Sequence, residues 1–117
     1  MSERQRPFNR NAEQSALGAA LQNDAAMYSV AEKLHASDFF DRAHAEILIA
    51  IKELSNSGMS VDVVTVAEML KRRGMLEAIG GGRYLTELVS IVPTPSGYPD
   101  YINIVREHAT RRKLIEA

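Results

Sequence analysis

The glycine run Gly80–Gly81–Gly82 is the one cluster in the chain with the composition of a phosphate cradle. A loop of the G-x-x-x-x-G-K-[ST] type needs a lysine to reach the phosphates and a hydroxyl for magnesium. Here Arg83 and Tyr84 follow instead. The run therefore reads as a break between helices, where glycine takes positive φ without steric cost. The histidines, His35, His44 and His108, could act as acid–base groups or metal ligands. None forms an H-x-x-x-H pair, and no cysteine is present to complete a zinc site. They read as hydrogen-bonded or solvated imidazoles. No G-x-S-x-G elbow presents a serine nucleophile. The expectation is a chain without catalytic, cofactor-binding or metal-ligating residues.

Composition points the same way. The 117 residues suit one domain with one core. Lys and Arg number 14 against 15 Asp and Glu, a net charge of −1. A dedicated nucleic-acid grip normally carries a clear positive excess. No apolar run approaches the about 18 residues of a membrane span, and no apolar segment follows the polar start. Residues 1–10 read as a flexible arm, and the expected location is the cytoplasm, away from membranes.

Helical periodicity runs through nearly all the rest. Asn11, with Gln14 three positions on, suggests a capping box ahead of Ala12, Leu17, Ala20 and Leu21. Asp24 is expected to cap a second helix with Met27, Val30, Ala31 and Leu34 inward. The connector Ser37–Asp38–Phe39–Phe40 should drop two aromatics into the core. Asp41 should cap a third helix from about Arg42 to about Asn56, ended by Gly58, with Ile47, Leu48, Ile51 and Leu54 on its stripe. Asp62 should cap a fourth, with Val63, Val66, Ala67 and Leu70 inward. Lys71–Arg72–Arg73 complement the dipole at its end, and Gly74 stops it. Met75–Ile79 allows one further turn. A fifth helix is expected from about Arg83 to about Ile91, ended by Pro93 and Pro95, and a sixth with Pro99 in its first turn. That last helix meets no stop signal, which suggests a module cut from a longer protein. The fold expected is all-α, a compact orthogonal bundle of about six short helices, spanning residues 11–117.

Several segments are familiar. Asn11–Leu21 (NAEQSALGAAL) resembles the A-E-Q-S-x-L-G opening of DnaB-type bacterial or phage replicative helicases. Asp38–His44 resembles that family's D-F-[YF]-x-x-x-H connector, and Asp62–Leu70 its D-x-[VI]-T-[VL]-A-x-x-L helix. Gly80–Leu85 is similar to its G-G-x-x-Y-L turn. Val92–Thr94 and Tyr101–Leu114 are similar to the end of its N-terminal domain. The resemblance spans about residues 7–117, with the motifs in order. The chain departs at Pro95–Pro99, where relatives commonly have Ala-Ala-Asn, and at Gly82, where many carry a side chain.

The resemblance implies a non-catalytic head domain. It would join other helicase subunits in a collar, as dimer or hexameric ring, and dock a DnaG-type primase and a helicase loader. The parent protein would unwind duplex DNA, with ATP and magnesium held by a separate RecA-like ATPase domain, through which alone DNA is contacted. Met59, Val61, Met75 and Ile79, which flank helix ends, and Gly82 and Arg83 at the glycine turn, are the candidate protein-interface residues. Lys71–Arg73 with Arg106, Arg111, Arg112 and Lys113 leave a second reading open, a small helical nucleic-acid-binding protein; a free-standing adaptor is a third.

Overall fold

Helix α1, Arg10–Ala20, opens at Asn9, whose extended backbone turns its side chain onto the Ala12 N–H at 2.9 Å. The computed structural model describes residues 9–116. Residues 1–8 of the expected arm lie outside the described residues, while Asn9 and Arg10 belong to the domain. The cap expected at Asn11 is thus corrected: Asn11 is an exposed residue of the first turn. The same shift occurs at α2, Asp24–Lys33, where Asn23 accepts from the Ala26 N–H and Asp24 is the first helical residue. In each case two nearby residues could cap, and the one in extended backbone takes the role, worth about 1 kcal/mol.

The remaining boundaries follow expectation closely. Asp41 caps α3, Arg42–Asn56. Asp62 caps α4, Val63–Arg72, in a reciprocal box with Thr65. Both helices end alike. Gly58 and Gly74 adopt φ of 74° and 71°. The next residues, Met59 and Met75, donate their N–H groups back to Leu54 and Leu70. This six-to-one closure satisfies carbonyls the helix end would leave open. One turn, α5, Leu76–Ile79, follows and ends at Gly80. Helix α6, Gly81–Ile91, starts before the expected Arg83, because only Gly80 and Gly81 take positive φ there. Gly82 is ordinary helix. A short 3-10 turn at Pro95–Gly97 leads into α7, Tyr98–Glu116, with Pro99 in its first turn. The described residues thus form an all-α bundle of seven helices. The single turn α5 accounts for the excess over the expected number.

Helix α1 is the hub of the packing and touches α2, α3, α6 and α7. Its small residues allow that. Ala16, Ala19 and Ala20 are buried, and Gly18 lies so close to α6 that a Cβ would meet the Leu88 carbonyl at 2.2 Å. Helix α3 buries Ile47, Leu48, Ala50, Ile51 and Leu54 in the same core and packs chiefly on α4. Of the two connector aromatics only Phe39 enters the core; Phe40 stays 39% exposed beneath the Arg112 guanidinium. Adjacent residues in extended backbone point opposite ways, so one of the pair must face out.

Candidate functional site

The buried polar groups converge at one place. His44, in the first turn of α3, is fully buried with its Nδ1 2.7 Å from Glu13 Oε1 and its Nε2 2.6 Å from the Tyr84 hydroxyl. Glu13 comes from α1 and Tyr84 from α6. The Glu13 carboxylate also accepts the backbone N–H groups of Phe40, at 2.8 Å, and Asp41, at 3.4 Å. A carboxylate with three donors around it assigns the Nδ1 proton to His44, and the Tyr84 O–H then donates to Nε2. Gln14 Nε2 donates to the Tyr84 oxygen at 3.0 Å. The Tyr84 ring lies nearly parallel to the imidazole at 5.9 Å, and Phe39 meets it edge-on.

At the rim, Arg10 donates to Asp41 at 2.7 Å. Burial pushes the Asp41 carboxyl up, but the Ala43 N–H and Arg10 outweigh it and hold it below the usual carboxylate range. The bond to Asp41 raises Arg10 in turn. Burial pushes the Tyr84 phenol up, against the opposing bond from Gln14.

Carboxylate, imidazole and hydroxyl in that order resemble a relay for nucleophilic catalysis. The setting excludes that use. Glu13 and His44 are 1% and 0% exposed, and the phenol is held protonated with its oxygen already engaged. The cluster instead ties α1, the connector and α6 together. From sequence His44 reads only as a hydrogen-bonded or solvated imidazole; the structure selects the first and pairs it with Glu13 and Tyr84.

The accessible chemistry lies elsewhere. Around the α3–α4 loop, Met59 is 54% and Val64 77% exposed. They border a groove with Leu54, Thr65, Glu68, Met69 and Arg72. Its volume of about 240 Å³ falls below the roughly 300–1,000 Å³ of small-molecule sites, while the adjoining groove on the other side of Met59 measures about 410 Å³.

The chain is similar to characterised proteins along nearly its whole length. Residues 5–107 match the model of the DnaB-like helicase N terminal domain. The chain belongs to that family. It is 45% identical to the replicative DNA helicase DnaB of Mycobacterium leprae over 97% of its own length. It is 41% identical to that of Leifsonia xyli subsp. xyli over 98%, and 36% identical to that of Treponema pallidum over 94%. It spans only 19% to 25% of the length of these relatives. The crystal structure of the N-terminal domain of DnaB helicase from Mycobacterium tuberculosis superimposes with a TM-score of 0.92 at 44% identity, covering 96% of this chain and 81% of that one.

As a DnaB-like N-terminal domain the chain is itself non-catalytic. Three of the motifs that carry the resemblance supply Glu13, His44 and Tyr84, the three groups of the buried cluster. Gly18 of the first motif is the residue that lets α1 approach α6. The Gly80–Gly82 turn has no lysine to hold a phosphate, and Tyr84 beyond it is committed to His44. Among the described residues no group of His, Cys, Asp or Glu could hold a metal ion, and no helix is long and apolar enough to cross a membrane.

Of the candidate interface residues of this DnaB-like domain, Met59 and Val61 line one groove, and the others are not in it. Met59 and Met75 both follow a helix-ending glycine, Met59 exposed and Met75 packed on the core. Val61 is half-buried against the core. Ile79 is 4% exposed and belongs to the core, which removes it from the candidate surface. Gly82 has open space around its Cα and Arg83 is exposed. Val64 was missed. Its signal is the stripe Val64, Glu68, Arg72, which shares the face opposite Val66 and Leu70.

Three of the seven candidate cations are engaged, while Lys71 lies exposed near the end of α4. Arg72 pairs with Glu68, and Arg73 reaches Glu46 and Glu53 at 3.3 Å each. Arg112 is buried and donates to the Asp38 carbonyl at 2.6 Å. Arg106, Arg111 and Lys113 remain exposed on α7.

Proposed function

We propose that this domain is an assembly and partner-docking module of a replicative DNA helicase, acting in the cytoplasm. It contributes to the collar of an oligomeric ring and offers a surface to a DnaG-type primase and to a helicase loader. The parent protein unwinds duplex DNA at the replication fork. ATP and magnesium are handled by a RecA-like domain of that protein, and DNA is contacted there. The observation that carries this reading is the meeting of three family motifs in a sealed polar cluster. It commits Glu13, His44 and Tyr84 to holding the fold, so that exposed apolar and charged side chains such as Met59, Val64 and Asp62 are what the described residues offer a partner.

Sedimentation of the purified chain, alone and with the C-terminal domain of a DnaG-type primase, tests the proposal. The expected results are a monomer or weak dimer alone, a complex with the primase domain, and no ATP turnover. No complex with primase, together with salt-sensitive binding of single-stranded DNA at micromolar protein, would overturn it in favour of a nucleic-acid-binding role.

A further inference from the structure

The α3–α4 loop separates two grooves that share Met59. The first has the apolar floor described above. The second runs toward the start of α2 and is bordered by Asp24, Tyr28, Met59 and Asp62. Tyr28 is 62% exposed. Asp24 sits in the first turn of α2 and Asp62 at the cap of α4, and among the described residues neither forms an ion pair. At the opposite end Glu68 and Arg72 pair with each other, so that end is electrically balanced. The face thus has an apolar half that continues into an acidic half without a cation of its own.

We infer that this face docks an amphipathic helix of a partner protein that carries a Lys or Arg beside its apolar stripe. A helix supplies apolar side chains one turn apart on one face, for the Met59–Val64–Met69 groove, with a cation at the flank for Asp24 and Asp62. The occupant is set by charge: Asp24 and Asp62 call for a cation beside the apolar stripe, and the residues bordering their groove supply none. The Gly82–Arg83 turn, on a different element, is left free. The inference rests on the docking role proposed above but names a specific face and ligand chemistry for it.

The test is a titration of the isotopically labelled chain, followed by amide and methyl NMR shifts. The probe is a blocked Leu/Lys peptide patterned as an amphipathic helix, and the control is a Leu/Glu peptide of the same pattern. The expected result is saturable shifts centred on Tyr28, Met59, Val64 and Met69, with the control at least about tenfold weaker. Val64→Lys should abolish the shifts while leaving the rest of the spectrum intact, because Val64 holds up no core. Asp24→Asn should weaken only the Leu/Lys peptide. Shifts centred elsewhere, equal binding of both peptides, or concentration-dependent shifts at these residues without peptide would each overturn the inference. Should Val64→Lys lose the peptide yet keep the primase complex, this face serves a partner other than primase and the inference stands. Should the wild-type chain bind primase but not the Leu/Lys peptide, the docking role survives and this face is withdrawn from it.

Discussion

Glu13 Oε1 and His44 Nδ1 lie 2.7 Å apart where solvent reaches neither, joining α1 to the start of α3 across 31 positions of sequence. A buried carboxylate is costly unless its oxygens are satisfied. Glu13 meets that condition with the imidazole and two backbone N–H groups of the connector. The bond therefore holds the connector against α1 and orients His44 toward Tyr84.

Glu13→Gln should destabilise the domain by about 1–3 kcal/mol. The glutamine has one acceptor oxygen where the carboxylate has two, so its NH₂ must face one of three donors. Urea denaturation should show a lower midpoint with an unchanged slope. An unchanged midpoint would mean that the connector is held by its apolar contacts alone.

Tyr84→Phe keeps the ring on the imidazole but leaves Nε2 of His44 without its partner, with an expected loss of about 1–3 kcal/mol. Combined with Glu13→Gln it should be non-additive by about 0.5 kcal/mol or more, since both changes act through His44. A strictly additive double mutant would show that the three groups do not form one network.

Gly18→Ala should cost about 1–3 kcal/mol or more. The new methyl would sit 2.2 Å from the Leu88 carbonyl oxygen and 2.3 Å from Val92, and a backbone carbonyl cannot rotate out of the way. Thermal unfolding would report it. A wild-type melting temperature would imply that α1 and α6 separate without penalty.

Two glycines of the same run should respond oppositely to alanine. Gly80 has φ of 110° and a Cβ would stand 2.9 Å from that of Tyr84, so Gly80→Ala should destabilise. Gly82 lies in α6 with open space beside it, so Gly82→Ala should stabilise by about 0.5 kcal/mol through the unfolded chain. Paired denaturation curves decide it.

Stability should fall at both pH extremes. Asp41 is held below its ordinary value of 3.8, so its contribution is present above that pH and is lost as pH falls through the lower folded value. Tyr84 is raised above 10.0, so its contribution is present below that pH and is lost as pH rises through the higher folded value. Arg10→Met should shrink the acid-side loss, modestly because the pair is solvent-screened. Tyr84→Phe should remove Tyr84's share of the alkaline loss. Melting temperatures measured across both ranges would show either limb unchanged if these assignments are wrong.

The sequence by itself determined the helices and most of their ends. Asp41, Asp62, Gly58 and Gly74 act through hydrogen bonds and dihedral angles within a few residues, and the apolar stripe of α3 follows from periodicity alone. The motif resemblance in sequence was sufficient to name the family. Tertiary structure decided what no local rule reaches. It chose Asn9 over Asn11 and Asn23 over Asp24, since the entry of each helix depends on where the neighbouring segment leaves the core. It turned Phe40 outward, put Ile79 inward and left Val64 in solvent, because burial depends on which helices pack around a face. Above all it brought together Glu13, His44 and Tyr84. These polar residues, scattered along the chain, become one sealed network only when three elements meet and shut out the water that would otherwise satisfy each of them.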